Sequence, residues 1–244
     1  MKRQKIEGKL SVMSQAIEAS ELTLVLHGDI GPSEYWYDVS LKGIKRALQG
    51  KEFDTLNVHI NSNGGDVFES IAIANYFKEL DAIIIIHIDA IAASGGSIIA
   101  MAGDKVLMPS NTMMMIHNAW TFAAGNAKEL RKVADDLDKI GTSFSTTYLD
   151  RFIGTEEELQ ILLDNETLMT AQECVDLGFA DEIKVITNEK PEGTVDAKAN
   201  IFNKYQGNRN QTVAASADKP KESNVFKNLL ELFIGGNNND DEKY

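Results

Sequence analysis

An isoleucine run, "AIIIIHID" at residues 82–89, leads through "AIAA" into the small-residue stretch "SGGSIIAMAG" ending at Gly103. Four consecutive isoleucines do not alternate apolar and polar, so the run predicts a strand covered on both faces, as in parallel sheets packed between helices. His87 and Asp89 interrupt it, and the apolar stretch falls short of the roughly 18–20 residues of a membrane span. No membrane partner is expected.

The neighbouring segments support the same architecture. "ELTLVLHGDI" and "TLNVHIN" alternate like strands, and "VSLKGIKRALQG" between them carries Val39, Leu41, Ile44, Ala47 and Leu48 at helical spacing before Gly50. A second unit comes next: a helix from Val67 to Leu80, the isoleucine strand, then the helix "GGSIIAMA". Repeated strand and helix units place the chain in the α/β class. From Asn126 to Phe152, Leu130, Val133, Leu137, Ile140, Phe144 and Tyr148 recur at three- and four-residue steps, predicting one long amphipathic helix with a charged outer face. "TEEELQILL" begins a further helix with Thr155 and Glu158 at capping-box spacing, "TAQECVDLG" makes another, and "ADEIKVIT" reads as a last strand.

Composition separates this body from the C-terminal quarter of the chain. The boundaries read as an N-terminal segment over residues 1–20, a folded domain over 21–188 and a polar, flexible tail over 189–244 with a short amphipathic helix near 223–234. That island, "SNVFKNLLELFIGG", suits docking to a partner or within an oligomer. The net charge is −13, and the tail's 8 Lys/Arg against 9 Asp/Glu leave about −12 on residues 1–188. A surface this acidic repels phosphate backbones, so nucleic acid is not an expected partner. Cys174 is the only cysteine, excluding an intramolecular disulfide, and "MKRQKIEGKL" lacks the apolar core of a secretory signal. A cytoplasmic protein is expected.

Three stretches carry candidate chemistry, each with a plainer structural reading. Asn63, Gly64 and Gly65 form a turn that can aim backbone N–H groups at a ligand, yet a strand-to-helix turn uses the same residues. Ser94, between two alanines and two glycines, can be a helix cap or a nucleophile beside free helix amides. His117 ends the β-like run "TMMMIH" and can be structural or a general base. His27, His59 and His87 lie in or beside strands without metal-ligand spacing and read as structural. No metal and no cofactor is expected.

Taken together, the three stretches resemble the Clp peptidase family, the self-compartmentalising serine peptidases of ClpP type. Thirty residues separate Gly64 from Ser94, "AAS" is Ala92 to Ser94, "MIH" is Met115 to His117, and "TAQECVDLGFADEI" looks like a later family stretch. The resemblance covers roughly residues 20–187. It implies a ClpP/crotonase-like spiral of strand-helix units with the long helix as a protruding handle between rings of a homo-oligomer. It also implies a serine endopeptidase with Ser94 as nucleophile, His117 as general base, the amides of Gly65 and Gly95 as oxyanion hole, and substrate held near Gly64, Asp66 and Val67. The family's acid falls on Glu166, with Asp164 as the alternative. Asn63 stands where the family has proline, and Gly95 where it has methionine. Asp164 and Asn165 replace a charged pair associated with contacts between rings.

The "NETLMTA" stretch and the polar tail look most like the phage-encoded branch, the head maturation or prohead proteases. Capsid or scaffold precursors would then be the protein substrates, cleaved without an ATPase in this chain. Two other readings use the same residues: a catalytically degenerate scaffolding protein of the same fold, and a crotonase-type acyl-CoA enzyme. The second would leave the pairing of Ser94 with His117 unexplained.

Overall fold

Alternation of large apolar side chains sets the strands. In β2 (Glu21–His27) every second residue, Leu22, Leu24 and Leu26, is buried; in β3 (Thr55–Ser62) they are Leu56, Val58 and Ile60. In β4 (Ile83–Ala93) they are Ile84, Ile86 and Ile88. The computed structural model describes residues 8–14, 20–33 and 37–184. The proposed tail over 189–244, its amphipathic stretch near 223–234 and the last residues of "ADEIKVIT" lie outside the described residues.

The sheet order is β1-β2-β3-β4-β5-β8, adding β1 (Lys9–Ser14), β5 (Lys105–Pro109) and β8 (Glu182–Lys184). β1 runs antiparallel to β2, and the other pairs on this path are parallel. The sequence reading places no strand before residue 21. Leu10 and Val12 of "KLSVMS" pack against the core, and both stay half-buried, a weak signal in the sequence. Crossovers supply the helices α1 (Leu41–Leu48), α2 (Val67–Lys78) and α3 (Gly95–Ala100). α4 (Ala127–Leu149), α5 (Glu156–Asp164) and α6 (Ala171–Asp176) come after them, each opened by a capping box, with Asn126, Thr155 and Thr170 as caps. Ile44, Ile73, Phe77, Ile98 and Phe144 join the buried faces of the strands in one hydrophobic cluster. Among the described residues no helix is long and apolar enough to cross a membrane.

A register shift positions the chemistry. β3 and β4 pair from Thr55↔Ile83 to Ile60↔Ile88, but the next pair is Ser62↔Ala92, so β4 carries two extra residues there. The first part of β4 pairs with β5, whereas Ile91, Ala92 and Ala93 pair with Met113, Met114 and Met115 of β6 (Met113–Met115). The end of β4 is thereby brought to the strand that leads into His117. β6 also pairs antiparallel with β7 (Leu168–Thr170), Met115 opposite Leu168.

The expectation that β4 is covered on both faces is corrected. Its second face holds Ile83, 55% exposed, half-buried Ile85 and His87, and exposed Asp89. The four isoleucines reflect a β-branched preference for strand backbone as much as burial. On this face the Asp89 carboxylate accepts hydrogen bonds from His27 Nε2 at 2.8 Å and His59 Nδ1 at 2.7 Å. Burial would raise the Asp89 pKa, but these two bonds and the charges behind them hold it below the ordinary value. His87 stacks on His59 with centroids 4.6 Å apart and bonds through Nε2 to Asn57 Oδ1 at 3.0 Å.

Burial, and then the charges of His59 and Lys184, push the His87 pKa from 6.5 down to about 4, against the pull of Asp89. As pH falls from 6.5 to about 4, the unfolded chain takes up a proton at this position that the folded chain refuses. Stability contributed by neutral His87 is therefore present above pH 6.5 and lost through that window. Denaturant unfolding at pH 7 and near pH 4.5 should show His87→Gln losing on the order of 1–2 kcal/mol less than the wild type, a figure discounted for half-exposure. Equal losses would contradict the assignment.

Candidate active site

Ser94 sits where β4 turns into α3, with φ 52° and ψ −121°. A non-glycine residue at positive φ is strained by an amount on the order of 1–3 kcal/mol, sustained only when its surroundings over-determine it. Here the Ser94 N–H donates to Met115 O at 2.9 Å, and its carbonyl accepts from the amides of Ser97 at 2.9 Å and Ile98 at 3.2 Å. The cap reading of Ser94 is corrected in one respect. It occupies the N-cap position, but its side chain makes no capping bond; Oγ lies 2.8 Å from His117 Nε2.

His117 is placed by β6 and β7. Ile116 is fully buried and its N–H donates to Thr167 O at 3.0 Å, which sets His117 beside Glu166. Burial lowers the His117 pKa, so the imidazole is held neutral and able to accept a proton, while the Glu166 carboxylate pulls it upward. Glu166 also has a positive φ, 47°, just past the end of α5. Its action on His117 is through charge; among the described residues no hydrogen bond joins the two.

Asp164 faces elsewhere. Its Oδ1 accepts from Asn118 Nδ2 and Gln160 Nε2, both at 2.7 Å. Sequence spacing leaves Glu166 and Asp164 as alternatives, and of the two it is Glu166 that acts on His117 electrostatically in this structure. The Gln160 contact is a local i, i+4 pair on α5, whereas the Asn118 contact was invisible in the sequence because it depends on α5 lying against the segment after β6.

The glycine turns pack against the serine turn. Gly64 has φ 94°, and a Cβ on it would lie 2.7 Å from each of Ser94 Cβ, Gly95 N and Ala93 O. A Cβ on Gly65 would lie 1.9 Å from Ile30 O, and one on Gly95 would lie 3.4 Å from Gly65 N. The Gly65 and Gly95 amides are thus neighbours, and neither has an acceptor among the described residues. Two free N–H groups beside a serine hydroxyl can stabilise the oxyanion that forms on a carbonyl oxygen when that hydroxyl attacks the carbonyl carbon.

Gly64 and Asp66, two of the expected substrate contacts, have backbone groups engaged within the chain. Gly64 N–H donates to Ser62 Oγ at 3.0 Å and its carbonyl accepts from Ile30 N–H at 3.0 Å, so both groups are used internally. Asp66 N–H donates to Ile30 O, and its side chain caps α2 by accepting from Glu69 N–H. The Gly65 carbonyl and the Val67 amide remain without partners among the described residues.

Burial pushes the Cys174 thiol up to about 12, so it is protonated and not nucleophilic at neutral pH. Among the described residues no group of three or more His, Cys, Asp or Glu is placed to hold a metal ion.

Comparison with known proteins bears on the same region. The family model described as Clp protease matches residues 47–188, more than half of the chain. An "ATP-dependent Clp protease proteolytic subunit" of Deinococcus radiodurans is 26% identical over 141 residues, covering 57% of this chain and 69% of its own length. One from Leuconostoc citreum is 29% identical over 147 residues, covering 56% of this chain and 70% of its own. One from Bacteroides fragilis is 25% identical over 132 residues, covering 53% of this chain and 64% of its own.

Proposed function

This chain belongs to the Clp protease family, a family of serine peptidases, and we propose that it cleaves peptide bonds with Ser94 as nucleophile, His117 as general base and Glu166 as the acid behind it. The observation that carries the reading is the 2.8 Å approach of Ser94 Oγ to His117 Nε2 from a strained turn that leaves the hydroxyl out of helix capping.

Neutral His117 takes the Ser94 proton as Oγ attacks the scissile carbonyl. The oxyanion forms against the amides of Gly65 and Gly95, each worth roughly 10²- to 10³-fold in rate. His117 then gives its proton to the leaving amine, which departs with the C-terminal product, and the acyl group stays on Ser94. A water, deprotonated by His117, hydrolyses the ester and restores the hydroxyl. The Gly65 carbonyl and Val67 amide offer an extended substrate backbone two hydrogen bonds.

Protein or peptide substrates and a ring of identical subunits fit this family. The first four turns of α4 contribute no buried residue, and Leu130 on its apolar stripe is 43% exposed. Trp120 and Phe122, just before the helix, are 65% and 90% exposed. This apolar surface supports α4 as the handle that meets a second copy. The resemblance to phage-encoded relatives supports capsid or scaffold precursors as substrates in the cytoplasm of a host cell. Residues 21–188 would be the peptidase domain and 189–244 an appended tail.

Glu166→Gln tests the acid. Removing the charge that raises the His117 pKa should shift the acidic limb of the kcat/KM profile further down, and slow cleavage about 10-fold because imidazolium loses its counter-charge. Asp164→Asn should leave the limb in place. A limb that moves in Asp164→Asn and not in Glu166→Gln would exchange the two roles.

A further inference from the structure

The strain at Ser94 raises the question of what holds its turn. Beyond the two helix amides, the Ser94 carbonyl accepts a third hydrogen bond, from Ser97 Oγ at 2.6 Å. The Ser97 oxygen lies 2.8 Å from the Tyr148 hydroxyl. A serine hydroxyl carries one proton, and a carbonyl can only accept, so the Ser97 proton is committed to Ser94 and Tyr148 must be the donor to Ser97. The polarity of the chain is therefore fixed: Tyr148 O–H to Ser97 O–H to Ser94 C=O. Each donor polarises the next, which strengthens the bond at the end of the chain.

Both side chains are buried, Ser97 completely. Burial also raises the Tyr148 ionisation far above the ordinary phenol value, so the ring keeps its proton. The ring is fixed edge-on between Phe144 and Phe179, with centroids 6.0 Å away on each side. Hydrophobic packing alone would be met by phenylalanine at this position. A buried hydroxyl without a partner is costly, so removing Ser97 alone strands the Tyr148 hydroxyl, whereas removing the Tyr148 hydroxyl leaves Ser97 still bonded to the Ser94 carbonyl. The last member of the chain is the carbonyl of Ser94, a residue held at positive φ.

We propose that Tyr148 is a positioning residue for acylation: through Ser97 it holds the Ser94 carbonyl, and with it the strained turn that aims the Ser94 hydroxyl at His117. The proposal rests on the reading of Ser94 as nucleophile. Tyr148 lies on α4 and touches neither substrate nor reacting atoms, so its effect passes through the turn.

A set of variants separates positioning from folding: Tyr148→Phe, Ser97→Ala and the double variant, each measured for labelling by a fluorophosphonate, for kcat and KM on a peptide, and for thermal unfolding. Ser94→Ala is the control for the underlying reading; if it labels like the wild type, that reading falls, whatever the other variants do. With labelling lost in Ser94→Ala, Tyr148→Phe is expected to label about 10-fold more slowly. Its kcat should fall by the same factor, with KM within about twofold and the acidic limb of the pH profile unmoved. Ser97→Ala should lose stability as well, because it strands the Tyr148 hydroxyl. The double variant removes both polar groups and should regain most of that stability while labelling stays about 10-fold slow. A double variant that labels at the wild-type rate, or a Tyr148→Phe variant whose rate is unchanged, would overturn the positioning role and leave the nucleophile assignment standing.

Discussion

His117→Ala is expected to slow peptide cleavage by about 10⁴-fold or more while the protein still folds. Among the described residues, the imidazole is the one side chain within hydrogen-bond distance of Ser94 Oγ, so its loss leaves the hydroxyl at its ordinary, unreactive acidity. Activity that survives would come from the oxyanion hole and substrate binding alone, as when other serine peptidases lose a triad member. Folding should persist because the β6 and β7 pairing and buried Ile116 do not involve the ring. The pH profile provides a second signature. In the wild type the rate should rise with pH around a midpoint below the ordinary histidine value, because burial disfavours the imidazolium. In His117→Ala that rise should vanish. Single-turnover kinetics on an activated ester measures both, and a variant retaining a tenth of wild-type acylation would remove His117 from the mechanism.

Gly64→Ala should be nearly as damaging, for a reason that involves no reactive group. A methyl at this position would lie 2.7 Å from Ser94 Cβ, Gly95 N and Ala93 O, and its backbone would still need φ 94°. Two of those neighbours are backbone atoms, so relief requires the serine turn itself to move. A shift of about 1 Å at a nucleophile costs on the order of 10²-fold in rate. Displacing the Gly95 amide as well removes an oxyanion donor, for a combined loss of about 10³-fold or more. Gly50→Ala is the matched control: Gly50 also has positive φ, 71°, but a Cβ there meets nothing within 4 Å. It should lose stability, on the order of 1 kcal/mol, and keep its rate. If both variants acylate equally well, the close packing of the two turns is not what sustains reactivity.

The sequence made some of this legible for identifiable reasons. Ser94 and His117 were candidates from local features, a small-residue turn and a strand end, but each also had a plain structural reading; it was the spacing of several motifs, and its resemblance to the Clp peptidase family, that paired them as nucleophile and base. The parallel strands could be read from alternation in "ELTLVLH" and "TLNVHIN", and the cap at Thr155 from its capping-box spacing to Glu158, whereas the caps at Asn126 and Thr170 came from the structure. What stayed hidden depends on partners far along the chain. The two extra residues on β4 exist only relative to β3, and β6 and β7 are three-residue strands without a periodicity of their own. His27, His59 and Asp89 come from three different strands, so their convergence needed the register. The open face of the sheet was misread because an isoleucine run reports strand preference as well as burial. The link from Tyr148 to Ser97 spans 51 positions and looked like ordinary core spacing on an amphipathic helix.

The central claim is that Ser94 is a nucleophile activated by His117, and covalent capture tests it most directly. The protein is incubated with a fluorophosphonate, its intact mass is measured, and the modified site is mapped by peptide fragmentation. The predicted result is one phosphonyl group per chain, on Ser94, absent in Ser94→Ala and formed far more slowly in His117→Ala. An adduct on another residue, or a wild type that stays unmodified as the fully assembled full-length chain, would contradict it.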